Sequence, residues 1–192
     1  MKLYLFGFLS IYALGLVYIS PCVKSRRFVP PFLPANNTSD LYLVGYSLNI
    51  YNPKISCVRS QYKNKSGYVV SRYLLAEYDD PETKQHISGG FPFNMTIPNE
   101  TLVFVLNITS VPDNPLAKLM GVRQNYSVLY YNNNTMILGD KKRTNEGKPS
   151  CSLWVTPEYR YTQKTLRSLT NIIFNENCAN PMLVKYDENC PW

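Results

Sequence analysis

The stretch Cys151-Ser152-Leu153-Trp154-Val155 decides the fold predicted for this chain. Its branched and aromatic residues predict a final β-strand over residues 150–155, and a turn at Thr156-Pro157 ends that strand. An amphipathic segment and two more cysteines, Cys178 and Cys190, come next. The pattern indicates a β-structure that is completed by this strand and held together by disulfides. We therefore expect the function to lie in the interior of that closed structure.

The N-terminal residues have the features of a secretory signal peptide. Lys2 supplies a positive charge, residues 3–19 are apolar, and the cleavage site is expected after Cys22. No other apolar run approaches the roughly 18 residues that a membrane span needs. We therefore expect residues 1–22 to be removed and the mature protein to be secreted without a membrane span. The proline-rich residues 23–40 predict an exposed lead-in to one domain, residues 41–192.

The cysteine count favours two disulfides. Of the five cysteines, four remain after loss of the signal peptide: Cys57, Cys151, Cys178 and Cys190. Four cysteines in an oxidising compartment are typical of two bridges, and three connectivities are open. No metal site is expected, because no C-x₂-C pair is present and His86 is the single histidine.

Glycosylation sequons and charge describe the surface. Sequons without proline occur at Asn36, Asn37, Asn64, Asn94, Asn99, Asn107, Asn125 and Asn133, and they predict a heavily glycosylated protein. The net charge is 20 − 13 = +7, which works against concentrating cationic ligands. Basic residues are scattered apart from Lys141-Lys142-Arg143 and Arg26-Arg27. This pattern favours a solvated surface over a nucleic-acid interface.

The middle of the chain has the spacing of an antiparallel β-protein. About eight strands separated by polar turns predict a sandwich or a barrel. The spacing of apolar residues then changes to a helical period. Within residues 157–177 one face of the predicted helix contains Leu166, Leu169, Ile172 and Ile173. We therefore predict an all-β domain with one C-terminal helix.

Alternation along the strands predicts which side chains face inward. A glycosylated asparagine must face solvent, so the neighbours of Asn107 and Asn125 at odd offsets face the interior. This rule selects Leu102, Phe104 and Leu106 on one strand and Tyr126, Val128 and Tyr130 on another. These side chains would suit the lining of a ligand cavity, and they would equally suit a filled core.

Several motifs together resemble a known family. The stretch from Cys151 to Val155, the helix after it, and the ending Tyr186-Asp187-Glu188-Asn189-Cys190 are similar to the C-terminal signature of the tick salivary lipocalins. Leu41-Tyr42-Leu43-Val44-Gly45, the run from Cys57-Val58-Arg59 to Ser71-Arg72, and Cys151 to Thr156 resemble the japanin-like branch of that family.

The resemblance implies an architecture. It implies an eight-stranded antiparallel lipocalin barrel over residues 41–156, a helix over residues 158–177 packed on its side, and a disulfide-anchored tail over residues 178–192. It also implies the pairings Cys57–Cys178 and Cys151–Cys190.

The resemblance also implies a ligand class. Amine-binding members carry an acidic residue directly after the last-strand cysteine, where this chain has Ser152. A buried ammonium group needs a counter-charge, so Ser152 disfavours a cationic amine. The japanin-like branch implies a sterol, cholesterol-like ligand. Trp154 lies on the same side of its strand as Ser152, so both are expected to line the barrel, although Trp154 could instead plug its base.

The function implied by the resemblance is that of a secreted, monomeric salivary lipocalin without a cofactor. It would bind a hydrophobic ligand and modulate host immunity through dendritic cells, with an immune-cell receptor as a further partner. The alternatives are a scavenger of a leukotriene or fatty acid, with histamine and serotonin disfavoured, and a protein-directed inhibitor, for example of complement. Catalysis is not expected, because no nucleophile elbow, phosphate loop or metal spacing is present.

Overall fold

A computed structural model describes residues 32–80, 83–96, 105–110, 113, 115–143, 147–162, 169–184 and 190. Its strands are β1 Leu41–Ser47, β2 Ile55–Ser66, β3 Val69–Asp79, β4 His86–Thr96, β5 Val105–Ser110, β6 Asn125–Tyr131, β7 Thr135–Arg143, β8 Pro149–Val155 and β9 Pro181–Leu183. Its α-helices are α1 Pro115–Leu119, α2 Pro157–Thr162 and α3 Leu169–Asn177. Helix α1 was not predicted, because five residues are too few to show a helical period.

The first eight strands form a closed antiparallel barrel, which confirms the predicted fold class. Strands β2 to β8 follow one another around the sheet, and β1 completes it between β8 and β2. Tyr42 pairs with Val155 on one side of β1, and Leu41 pairs with Ser60 on the other. Closure gives every barrel strand a hydrogen-bonded neighbour on each side, and it makes β8, which contains the stretch from Cys151 to Val155, a neighbour of the first strand.

The N-terminal lead-in covers one end of the barrel. It was expected to be exposed, but Leu33 and Ala35 are buried in the interior cluster, so the prediction is wrong at these residues. The Arg72 guanidinium lies beneath this segment and donates hydrogen bonds to the carbonyls of Ala35, Asn37 and Ser39. We call this end the closed end. The apolar lead-in is buried there because the barrel interior would otherwise be open to water.

The C-terminal helical region packs on the outside of the barrel with a face that the sequence predicted only in part, because Ile173 packs against the barrel as expected. Thr170 and Phe174 are fully buried in α3, whereas Leu169 is 61% exposed and Ile172 is 42% exposed. Phe174 packs among side chains of β1, β7 and β8. Leu166 lies outside the described residues. The buried face continues to Cys178, so the disulfide decides which side of α3 meets the barrel.

The disulfide pairing differs from the one that the resemblance implied. Cys151 at the start of β8 bonds to Cys178 at the end of α3, and Cys57 in β2 bonds to Cys190 in the tail. The expected pairings Cys57–Cys178 and Cys151–Cys190 are therefore wrong. The reason is that α3 ends beside β8, where the Ala179 N–H donates to the Pro149 carbonyl. The tail pairs as β9 with β1, and Cys190 is bonded to Cys57 of β2.

Candidate ligand-binding cavity

The barrel interior contains a cavity of about 460 Å³, which lies in the range typical of small-molecule sites. Most of its wall is apolar and comes from inward-facing strand residues. These are Leu41, Leu43, Ile55, Val58, Leu74, Phe91, Phe93, Met95, Leu106, Ile108, Met136, Leu138 and Trp154. The cavity is therefore suited to a hydrophobic body.

The cavity opens at the end opposite the lead-in. Two segments surround this mouth: residues 49–52, between β1 and β2, and residues 119–123, from the last residue of α1 into the connection before β6. Leu116 and Ala117 of α1 are buried against Phe91 and the neighbouring strands. The Asn49 amide donates to the Ser150 hydroxyl over 2.6 Å. This bond ties the β1–β2 connection to β8 and helps to fix the shape of the mouth.

Two polar side chains in the wall already have protein partners. The Trp154 Nε1–H donates to the Ser152 Oγ over 2.9 Å. The Ser60 Oγ accepts from the Arg72 Nε over 2.8 Å. Because each hydroxyl is engaged with a neighbouring side chain, the inner wall offers a ligand less hydrogen bonding than its composition suggests.

A polar cluster lies toward the mouth. The Arg123 Nε is 3.5 Å from an Asp140 carboxylate oxygen, and the Arg123 backbone N–H donates to the Tyr126 hydroxyl over 2.8 Å. Burial raises the pKa of Tyr126, so its hydroxyl stays protonated at neutral pH. We call Arg123, Tyr126 and Asp140 the mouth triad. It offers a ligand a donor, an acceptor and a hydroxyl within one small area.

The predicted site residues divide into three groups. Leu106, Tyr126, Ser152 and Trp154 line the cavity. Val128 is buried in the interior cluster without lining the cavity, and Tyr130 packs on the outside of the barrel. Leu102 and Phe104 lie outside the described residues.

Tyr130 faces outward because β6 contains an irregularity. The register with β7 shifts between Val128 and Tyr130, and such a shift exchanges the faces of all residues after it. Tyr131 therefore packs against the interior cluster, and Tyr130 packs beside α3, where its hydroxyl accepts from the Asn132 amide. The prediction that Tyr130 lines the barrel is wrong for this reason.

Asp140 and Arg123 were missed by the sequence analysis. Met136, Leu138 and Asp140 alternate along β7 and all line the cavity, so the alternation rule would have found Asp140. It was missed because the rule was applied only to the strands that contain the sequons Asn107 and Asn125. Arg123 lies in an irregular connection, where side chains do not alternate and the sequence does not predict which way a residue points.

The described residues show neither a metal site nor a membrane helix. Within them, no group of three or more His, Cys, Asp or Glu side chains could hold a metal ion. No helix in the described part of the chain is long and apolar enough to span a bilayer.

Comparisons with known proteins agree with this architecture. No family model matches the chain. Japanin of Rhipicephalus appendiculatus is 32% identical over 161 residues, which is 83% of this chain and 85% of that protein. Japanin-like-RS of Rhipicephalus sanguineus is 27% identical over 169 residues, with 83% and 85% covered. The crystal structure of japanin from Rhipicephalus appendiculatus bound to cholesterol matches with a TM-score of 0.70 and 28% identity, over 83% of this chain and all of that chain. The chain belongs to the japanin-like branch of the tick salivary lipocalins.

Proposed function

We propose that this protein is a secreted salivary glycoprotein that binds a sterol in its barrel and modulates host immunity through dendritic cells. The observation that carries the proposal is the apolar cavity of about 460 Å³. The cholesterol complex of a japanin with the same fold supports a sterol as the ligand.

The distribution of polarity in the cavity fits a sterol. A sterol has a rigid hydrocarbon body and a single hydroxyl group at one end. The inner wall is apolar and its serines are engaged, whereas Asp140 and Tyr126 lie toward the mouth. A hydroxyl at the mouth can donate to the Asp140 carboxylate, and the body then fills the interior. We therefore place the hydroxyl end of the sterol at the mouth triad.

A cationic amine fits the same cavity less well. Asp140 is the acidic residue in the wall, and the Arg123 guanidinium is 3.5 Å from it. An ammonium group would have to compete with that guanidinium for the carboxylate, and an uncompensated buried charge is costly. The overall charge of +7 also repels cationic ligands. Histamine and serotonin are therefore disfavoured.

The test is sterol binding by the secreted protein, measured by native mass spectrometry and by displacement of a fluorescent sterol. Ile108 lines the cavity, so Ile108→Trp fills the space and should weaken binding by about tenfold or more, or about 1.4 kcal/mol. Ile172→Trp is the matched control, because Ile172 is 42% exposed on α3. It should bind sterol like the wild type.

The same two variants test how the immune effect arises. If the sterol is required, Ile108→Trp should lose activity on cultured dendritic cells and Ile172→Trp should keep it. A fully active, sterol-free Ile108→Trp would instead favour an effector that acts through its surface. Wild-type protein that binds no sterol but binds a fatty acid or leukotriene would replace the proposed ligand with that mediator.

A further inference from the structure

One hydroxyl group in the deep part of the cavity has an unused hydrogen-bond donor. Ser60 lines the cavity and is 3% exposed. Its Oγ accepts from the Arg72 Nε over 2.8 Å, which engages a lone pair of the oxygen and leaves the hydroxyl proton. No atom of the described residues accepts that proton. A group that enters the cavity can therefore accept a hydrogen bond from Ser60.

The guanidinium of Arg72 makes Ser60 a stronger donor. Arg72 is fully buried, and its other N–H groups donate to carbonyls of the lead-in and of Ser60 itself. None of the ion pairs in the described part of the chain includes Arg72. A hydroxyl that accepts from a cation in a dry interior is polarised, and it donates more strongly as a result. Ser152 in the same wall accepts instead from the neutral Trp154 indole.

Ser60 lies well below the mouth of the cavity. Ile55, the first residue of β2, pairs with Tyr78 of β3, and Ser60 pairs with Leu74. The distance from Tyr78 to Leu74 is about 13 Å along β3, or about 10 Å along the axis of a barrel with ordinary strand tilt. On its other side Ser60 pairs with Leu41, the first residue of β1. The unused donor is therefore near the closed end, opposite to the mouth triad.

The side chains at this depth are otherwise apolar. Leu41, Met95 and Met136 belong both to the cavity wall and to the interior cluster beneath it. A hydrocarbon group placed here would pack against these side chains, but it would leave the Ser60 proton without an acceptor. An unpaired donor in a dry interior is costly. A ligand that carries an oxygen at this depth removes that cost and keeps the apolar contacts.

We propose that the Ser60 hydroxyl forms a deep subsite and that the preferred ligand is an oxysterol, a sterol with an oxygen at the end of its side chain. With the ring hydroxyl at the mouth triad, the side chain points toward the closed end, where its oxygen accepts from Ser60. Cholesterol has a side chain made only of hydrocarbon, so a site built to donate to an oxygen there discriminates against it. This inference rests on the sterol-binding function proposed above and names the class of sterol.

Three sterols test the deep subsite by displacement of a fluorescent sterol from the secreted protein. Cholesterol has no oxygen on its side chain, 25-hydroxycholesterol has one near the end of the side chain, and 7β-hydroxycholesterol has its extra hydroxyl on the rings. The wild type should bind 25-hydroxycholesterol about tenfold more tightly than cholesterol, and it should bind 7β-hydroxycholesterol no more tightly than cholesterol. An equal gain for both hydroxylated sterols would assign the effect to polarity alone and overturn the subsite.

Variants of Ser60 locate the contact. Ser60→Ala removes the hydroxyl and should bind 25-hydroxycholesterol and cholesterol equally, whereas Ser60→Thr keeps a hydroxyl and should keep the preference. Ser71→Ala is the matched control, because Ser71 does not line the cavity and its hydroxyl donates to the Asn94 side chain over 2.7 Å. It should show the wild-type preference. A preference that survives in Ser60→Ala would place the side-chain oxygen elsewhere and overturn the assignment of Ser60.

The outcomes separate this inference from the proposed function. Wild-type protein that binds cholesterol and 25-hydroxycholesterol equally would overturn the deep subsite and leave sterol binding intact. Wild-type protein that binds none of the three sterols would overturn both. Ser60→Ala also removes an acceptor from Arg72, so its folding is checked by urea denaturation. If it does not fold, Ser60→Cys takes its place, since it keeps the size of the side chain and replaces the hydroxyl with a weak donor; it should lose most of the preference.

Discussion

Arg72 is the most informative single residue of the closed end. Its guanidinium donates to the carbonyls of Ala35, Asn37, Ser39 and Ser60 and to the Ser60 hydroxyl, and the side chain is fully buried. Burial lowers its pKa to about 10, which leaves it charged at neutral pH. One cation therefore satisfies the backbone of a lead-in that has no sheet partner in the described structure.

Replacing Arg72 should destabilise the protein strongly. Arg72→Met removes the donor to buried carbonyls, and each unsatisfied buried acceptor costs about 1–3 kcal/mol. We expect a loss of about 3 kcal/mol or more in the free energy of unfolding, measured by urea denaturation. Lys118→Met is the control, because Lys118 is 73% exposed in a surface pair with Asp113 and should change stability by less than about 1 kcal/mol. An equally small loss for Arg72→Met would show that the lead-in does not depend on this side chain.

Among the elements, α3 shows how packing on the barrel decides which helix positions contribute to stability. The sequence predicted a face that includes Leu169 and Ile172, whereas the structure buries Phe174 completely against β1, β7 and β8. Phe174→Ala should therefore cost about 3–5 kcal/mol, the usual range for a buried aromatic residue. Leu169→Ala should stay within about 0.5 kcal/mol. Thermal or urea unfolding would measure both, and the reverse order would favour the face predicted from the sequence.

The β3–β4 hairpin contains a titrating side chain, His86, and the direction in which it makes stability depend on pH follows from its contacts. His86 Nδ1 is 3.0 Å from Asp79 and its Nε2 is 3.6 Å from Glu77. The hydrogen bond to Asp79 raises the pKa of His86 above its usual 6.5, Glu77 adds to the effect, and desolvation opposes it. The protonated form is therefore favoured by folding. The stabilisation is fully present below pH 6.5 and is lost as the pH rises through the raised pKa.

An NMR titration would test this hairpin directly, since the chain has a single histidine. The native protein should titrate above 6.5, and Asp79→Asn should move the midpoint down toward 6.5 because it removes the main hydrogen-bond partner. Lys118→Met, which leaves these contacts in place, should not move the midpoint. A native midpoint at or below 6.5 would contradict the observed contacts.

At the scale of the whole molecule, the cavity makes stability depend on ligand. A ligand that binds the folded protein alone stabilises it, by about 2.7 kcal/mol at 100 times its Kd. For a domain of this size that corresponds to a rise in Tm of about 5–10 °C. Delipidated wild-type protein and Ile172→Trp should show this rise on adding cholesterol, measured by calorimetry. Ile108→Trp should show little, and an equal rise in all three would place the sterol outside the cavity.

The sequence by itself determined the features that depend on local period. Two-residue alternation predicted the strands, the inward Leu106 and Tyr126, and the shared facing of Ser152 and Trp154, which the structure joins by a hydrogen bond. These predictions succeed because a strand alternates its side chains wherever it is paired. The stretch from Cys151 to Val155 therefore indicated, from the sequence alone, both the strand that closes the barrel and part of the cavity wall.

The tertiary structure alone decided features that depend on distant partners. The partner of Cys151 depends on where α3 ends against β8, and the facing of Tyr130 depends on a register shift with β7. Leu33 is buried because the barrel end needs a cover, and Arg123 meets Asp140 because the connection after α1 reaches the mouth. These contacts join residues that are far apart in the chain or lie in irregular segments, where no local period carries the information.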